Sequence, residues 1–200
     1  MTADSGPSFL AGLVLGAGSS SRLGQPKQLL DYGGRPLLQI VVDTALAAPL
    51  DQVIVAIGGA GPEVRSQVRF GSAVVVENVA YTTGCSSSIV AALAAVDARA
   101  TGLVLLLGDQ PGVTIETIEA IANQLEHHPL VVCRYDDGRG HPFGFDRSIF
   151  GELGDLQGDK AVWKLLESGR HPVNELERPG DIPLDVDTWD DYERLLEADR

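Results

Sequence analysis

The sequence predicts a doubly wound α/β domain: a three-layer α/β/α sandwich on a mostly parallel sheet. Two observations carry the prediction. Short runs rich in Val, Ile and Leu recur at 11–15, 52–57, 73–77, 103–107 and 130–133. Each is almost continuously apolar, as strands covered on both faces are. Helical patterns at 36–47, 61–68, 87–96 and 114–125 separate them, and strands alternating with helices build parallel sheets. Pro36 sits at the start of the first of these helices, where its missing N–H costs no hydrogen bond.

After residue 133 the pattern changes. The stretch 134–145 is rich in Gly, Asp and aromatic residues and reads as a hairpin or long loop. Helical patches follow at 147–153 and 160–168, then a short strand at 172–176 and a terminal helix at 190–197. No repeat, low-complexity segment or linker interrupts the 200 residues. A single domain over 1–200 is expected, with 1–8 a loose tail and 134–200 packed on 9–133 as a lid or substrate side.

Composition narrows the function. Hydrophobic residues make up 44% of the chain and charged residues 22%, a globular balance. The net charge is −13, and 14 of the 28 acidic residues follow Phe150. That acidity argues against nucleic-acid or anionic-membrane partners, which need broad basic patches. Cys85 and Cys133 are the two cysteines, far apart in the chain, and read as reduced structural thiols. The start of the chain lacks the basic region of a signal peptide, and no apolar run approaches the ~20 residues that span a bilayer. A cytoplasmic location is expected.

The densest signal is the loop after the first apolar run, Leu15-Gly16-Ala17-Gly18-Ser19-Ser20-Ser21-Arg22-Leu23-Gly24-Gln25-Pro26-Lys27-Gln28. Between Phe9 and Leu30, Arg22 and Lys27 are the only charged side chains. Bare backbone at Gly16 and Gly18 lets N–H groups approach anionic oxygens, and the two cations neutralise them. The loop departs from a dinucleotide fingerprint at Ser21, where a third Gly is required, and from a P-loop at Gly24-Gln25-Pro26. A polyphosphate cradle is the reading that remains, against a Gly/Ser turn with surface cations.

Three further motifs fit such a ligand. Gly108-Asp109-Gln110-Pro111 ends the fourth apolar run. Ligands of open α/β sheets collect at the carboxyl ends of strands, so Asp109 would face the crevice of the first loop. A carboxylate beside a triphosphate suits Mg²⁺, which takes one or two carboxylates plus phosphate oxygens; the alternative is a cap for the helix near Thr114. In Asp185-Val186-Asp187-Thr188, strand alternation would turn both aspartates to one face, making Asp187 a second metal ligand. Capping of the last helix by Thr188 or Asp190 is the other reading. Ser86-Ser87-Ser88, after Asn78 and Gly84, suit either helix capping or a contact to a base edge or ribose. Gly140-His141-Pro142 and Gly158-Asp159-Lys160 are turns or contacts to a second substrate.

Taken in order, these motifs make the chain resemble the molybdenum cofactor cytidylyltransferases, nucleotidyltransferases of glycosyltransferase-A-like fold. The resemblance runs from about Ala11 to Leu196 and includes Gly34-Arg35-Pro36-Leu37-Leu38. Departures are Gly16 for Ala, Leu23 for Met, and Ala161 after Gly-Asp-Lys where Gly is common. The resemblance implies transfer of CMP from CTP to the terminal phosphate of molybdenum-molybdopterin, with release of pyrophosphate. It makes 9–133 the nucleotide-binding half and 134–200 the acceptor-binding half. Arg22, Lys27 and Asp109 become catalytic. Leu15, Gly16, Ala17, Gly18, Arg22, Lys27, Asn78, Gly84, Ser88 and Asp109 hold the nucleotide, and Asp109 and Asp187 hold Mg²⁺. Gln110, His141, Asp159 and Lys160 hold the acceptor. A molybdoenzyme or its maturation chaperone is an implied partner. The related guanylyl-transferring branch carries Gly where Ala17 stands, which leans the base toward cytidine. The alternatives are GTP or another NTP with a different phosphorylated acceptor, a non-catalytic cofactor-delivery module, and a dinucleotide-dependent oxidoreductase.

Overall fold

The computed structural model describes residues 8–18, 20–158 and 160–198. The expected tail, apart from Ser8, together with Ser19 and Asp159, therefore lies outside the described residues.

The nucleotide half begins with β1 (Leu10–Gly16), followed by a short hairpin of β2 (Asp31–Tyr32) and β3 (Arg35–Pro36). Then come α1 (Leu37–Ala47), β4 (Gln52–Ile57), α2 (Gly61–Gln67), β5 (Val74–Glu77), α3 (Cys85–Leu93), β6 (Gly102–Leu107) and α4 (Ile115–Gln124). The second half is β7 (Leu130–Tyr135), β8 (Gly138–Asp146), α5 (Phe150–Gly154), α6 (Ala161–Glu167), β9 (Val173–Glu177) and α7 (Trp189–Ala198). Seven strands form one sheet in the order β5-β4-β1-β6-β8-β7-β9. The pairs β5–β4, β4–β1, β1–β6 and β7–β9 are parallel, whereas β8 runs antiparallel to both β6 and β7.

The alternation of side chains explains the near-continuous apolar runs. Val14, Val55, Ile57, Val104 and Leu106 point to one face, where they pack with α1, α2 and α4. Leu13, Leu15, Ile54, Ala56, Leu103 and Leu105 point to the other, against α3, α5 and α6. Each central strand is covered twice, so neither of its faces tolerates polar residues. A third, smaller core gathers Leu23, Leu30 and Leu37 with Val186 and Leu195, anchoring the C-terminal segment beneath the first loop.

One local expectation is made specific and three are revised. The stretch 134–145, read as a hairpin or long loop, is the hairpin: the end of β7, the turn and most of β8, with a bulge in β7 between Val132 and Cys133. The helix expected at 147–153 is a 3₁₀ turn, Arg147–Ile149, running into α5. The third helix starts at Cys85, with Gly84 in the N-cap position, and no serine caps it. The hydroxyl of Ser87 instead donates to the carbonyl of Gly84 at 2.7 Å. Residues 181–188 form no strand.

The parallel strands β1, β4 and β6 end on the same edge of the sheet, and backbone contact there is close. Gly108 donates its N–H to the carbonyl of Leu15 at 2.9 Å. A Cβ on Gly108 would lie 2.9 Å from that carbonyl oxygen and 3.1 Å from Cα of Gly16. Both are backbone atoms that have no rotamer to escape into. Gly108→Ala is expected to lower stability by about 1–3 kcal/mol, read as a fall in the urea midpoint at unchanged slope.

Candidate active site

The edge where β1, β4 and β6 end opens into a cleft of about 700 Å³. At its base, Nζ of Lys27 donates to the Asp109 carboxylate and, at 2.7 Å, to Oδ1 of Asp187. Arg22 reaches the other oxygen of Asp187 at 2.8 Å. The Lys27 and Asp109 side chains keep only 12% and 15% of their exposure, while Asp187 keeps 41% and Arg22 65%. The charged network therefore grades from the protein interior to the cleft mouth.

Local structure builds this arrangement. The side-chain amide of Gln28 donates to the carbonyls of Gly16 (2.8 Å) and Gly18 (3.0 Å), pulling the loop over its own C-terminal end. The Ser20 hydroxyl accepts the Lys27 N–H at 2.9 Å. A Cβ on Gly18 would sit 3.2 Å from Cε of Lys27, so the lysine stem lies directly along bare loop backbone. Asp109 sits two residues beyond β6. The C-terminal segment is strapped beside it: Val186 N–H donates to the Asp109 carbonyl at 3.3 Å, and the Gln110 amide to the Pro183 carbonyl at 2.9 Å. Val186 is buried in the third core, and Asp185 and Asp187 both line the cleft. The shared face expected for these aspartates exists without the strand expected to produce it. Thr188 and Asp191 bond reciprocally, Asp191 N–H to the Thr188 hydroxyl and Thr188 N–H to the Asp191 carboxylate, forming a capping box for α7.

The electrostatics follow from burial and pairing. Burial would pull the Lys27 ammonium down, but Asp109 and Asp187 outweigh it and hold it above its ordinary value. Burial pushes the Asp109 carboxyl up, an effect that Lys27 opposes and Asp185 reinforces. Burial also works against Asp187, yet Lys27 and Arg22 keep it below the ordinary carboxylate range. Carboxylate oxygens of Asp109 and Asp187 converge on one ammonium, so the same point suits a hard divalent cation with oxygen ligands. Among the described residues no cluster of three or more His, Cys, Asp or Glu side chains able to hold a metal is found. A cation held here would be completed by ligand oxygens, as Mg²⁺ is beside phosphates.

Most residues singled out in the sequence meet on this cleft: Leu15, Ala17, Gly18, Arg22, Lys27, Gly84, Ser88, Asp109, His141, Lys160 and Asp187 all line it. Three do not. Gly16 lies below the loop as the last residue of β1. Asn78 is buried behind the wall, donating to Ser87 and Ser88 and accepting from Ala80 N–H. Gln110 is buried and acts as the strap to Pro183. Asp109 caps no helix, because the Thr114 hydroxyl caps α4.

The cleft also contains residues that the sequence did not mark. Trp163 and Val162 on α6 line it, as do Tyr81 and Thr82. Phe143 is fully buried, and His141 stacks on it at 3.9 Å between ring centroids. Trp163 stands edge-on to both rings, 5.2 Å from Phe143 and 6.4 Å from His141. In sequence Trp163 is one apolar residue in a helical patch, and nothing local separates it from core. Burial pushes the His141 pKa down to about 3, so the imidazole is neutral at physiological pH. No helix among the described residues is long and apolar enough to cross a membrane.

Comparisons with known proteins agree with this architecture. The family described as the MobA-like NTP transferase domain matches residues 12–174. The nicotine blue oxidoreductase of Paenarthrobacter nicotinovorans is 28% identical over 199 residues, covering 94% of this chain and 96% of that protein. The purine catabolism protein PucB of Bacillus subtilis is 29% identical over 203 residues, covering 95% and 97%. The crystal structure of Rv0371c from Mycobacterium tuberculosis is 52% identical with a TM-score of 0.90, over 95% of this chain and 98% of that one. A manganese complex of Rv0371c superposes with a TM-score of 0.87 at 49% identity, over 96% and 100%.

The neutral imidazole has a consequence for stability. Unfolded, His141 titrates at its ordinary value of 6.5; folded, it stays neutral down to about 3. Its folded pKa is depressed, so its contribution is complete above 6.5 and is lost as pH falls from there toward 3. Between pH 7 and pH 5 the wild type is expected to lose up to about 2 kcal/mol more than His141→Gln. Urea midpoints at the two pH values check this, and parallel losses would contradict it.

Proposed function

The chain belongs to the MobA-like NTP transferase family, and from that premise we propose that it transfers CMP from CTP to the terminal phosphate of molybdenum-molybdopterin. The observation carrying this reading is the single cleft in which Lys27 meets Asp109 and Asp187, with Arg22 at its mouth. The nicotine blue oxidoreductase is named for a different chemistry on a similar domain, so family alone leaves the reaction open and the residues must decide it.

In this reading the triphosphate lies along the loop after β1. Backbone N–H groups near Ala17 and Gly18 approach its oxygens, and Arg22 and Lys27 neutralise them. Gly84 and Ser88 face the nucleoside, with Ala17 below the base. The oxygens of Asp109 and Asp187 would hold a divalent cation such as Mg²⁺, which would supply screening of charge on the phosphates. Manganese in Rv0371c supports a divalent ion in this family.

The acceptor enters from the opposite end. Lys160 supplies positive charge for its phosphate, and neutral His141 and Trp163 flank its ring system; Asp159 belongs with Lys160 by the family resemblance. An acceptor phosphate oxygen attacks the α-phosphorus in line. A new P–O bond forms as the bond to the bridging oxygen of the β-phosphate breaks, and pyrophosphate leaves with that electron pair. The protein performs no covalent chemistry. Its contribution is positioning and charge neutralisation, each able to supply several kcal/mol.

A pyrophosphate-release assay tests this reading with four nucleoside triphosphates, Mg²⁺ and molybdenum-molybdopterin. CTP is expected to give turnover well above the others. Preference for GTP would overturn the base, and CTP binding without pyrophosphate would favour a delivery module. Asp109→Asn is expected to lower kcat at least 100-fold, about 2.7 kcal/mol. Trp163→Ala is expected to raise the acceptor KM about tenfold, ~1.4 kcal/mol, with the KM for CTP unchanged.

A further inference from the structure

We infer that Lys27 is an internal placeholder for the divalent cation, occupying the metal position until a triphosphate draws it away. The inference rests on the proposed metal role of Asp109 and Asp187 and goes beyond it. Asp109 uses one oxygen on the Lys27 ammonium, and Asp187 divides its two between Lys27 and Arg22. Lys27 Nζ lies 2.7 Å from Oδ1 of Asp187, whereas Mg²⁺ requires such oxygens at about 2.0–2.1 Å. An ammonium and a divalent ion bridging the same two carboxylates would collide and repel. One must leave before the other binds.

The lysine has a place to go. Its stem passes along Gly18, where a Cβ would meet Cε at 3.2 Å. Because Gly18 carries no side chain there, rotation about the stem that moves Nζ from the carboxylates toward the loop backbone meets no Cβ at that position. In the free protein this arrangement keeps two partly or wholly buried carboxylates neutralised, avoiding the cost of unpaired buried charge. With a triphosphate on the loop, Lys27 gains phosphate oxygens and frees Asp109 and Asp187. Nucleotide and metal then favour each other's binding, and linkage makes that coupling reciprocal. Lys27 thereby suppresses metal binding at an empty nucleotide site.

Two measurements on the full-length protein test the inference without nucleotide. In the first, Mn²⁺ binding is followed by loss of the free-ion electron paramagnetic resonance signal. K27M is expected to bind Mn²⁺ at least tenfold more tightly than wild type, and adding D109N to K27M is expected to abolish the gain. If K27M binds no more tightly while D109N weakens wild-type binding, the metal role stands and the placeholder falls. If D109N changes Mn²⁺ binding in neither background, the metal role itself falls. The second measurement uses the wild type alone, in case K27M does not fold. Saturating Mn²⁺ is expected to raise acetylation of Lys27 by an N-hydroxysuccinimide ester severalfold by mass spectrometry, with Lys164 as internal reference. An unchanged rate with Mn²⁺ bound overturns the placeholder.

Discussion

A single ammonium, that of Lys27, organises the cleft. It joins three stretches remote in sequence: the loop after β1, the end of β6 at Asp109 and the C-terminal segment at Asp187. A lysine and an aspartate this deeply buried are each costly alone and tolerable only together. The neighbouring structure serves to keep them together. Gln28 ties the loop down through the carbonyls of Gly16 and Gly18, bare Gly18 leaves room for the lysine stem, and Gln110 straps the C-terminal segment through Pro183. Close backbone contact at Gly108 then fixes Asp109 beside the end of β1.

The cleft has two chemically different ends. Around the Lys27 network it is polar and charged, with Arg22, Asp185 and Asp187 facing the opening. Around Trp163 and His141 it is aromatic, and the imidazole there stays neutral because burial disfavours its charged form. The aromatic surface comes from the second half of the chain, whereas the charged network draws Arg22, Lys27 and Asp109 from the first half and Asp185 and Asp187 from the second. The antiparallel strand β8 makes this possible, running back beside β6 and placing His141 near the strand end that carries Asp109. A transferase needs this division, with a charged seat for the group that leaves and a different surface for the molecule that receives.

The legibility of these features in the sequence follows from their range. The strands at 52–57 and 103–107 were readable because burial on both faces leaves no polar position in them beyond the opening Gln52. Arg22, Lys27 and Asp109 stood out because charge is scarce around a glycine-rich loop and at a strand end. Asn78 and Gln110 stood out equally, yet the fold uses their amides to hold backbone at Ala80 and Pro183, behind the cleft wall. Trp163 was invisible because an aromatic in a helical patch looks like core until α6 is placed against β8. The serines at 86–88 resemble caps by type, but Gly84 takes that position and the helix begins ahead of them.

The sequence by itself determined the α/β alternation, the order of the elements, and the residue types gathered at the first loop and after β6. These are local matters of periodicity, propensity and charge spacing. Tertiary structure alone decided that Asp187 shares an ammonium with Asp109, that Asp185 and Asp187 share a face without a strand, and that Trp163 meets His141. Each depends on the path of the chain after Tyr135, where β8 reverses and the C-terminal segment returns to β6. That path is set by packing between distant segments, chiefly Val186 and Leu195 against Leu23, Leu30 and Leu37, and no local pattern in the sequence encodes it.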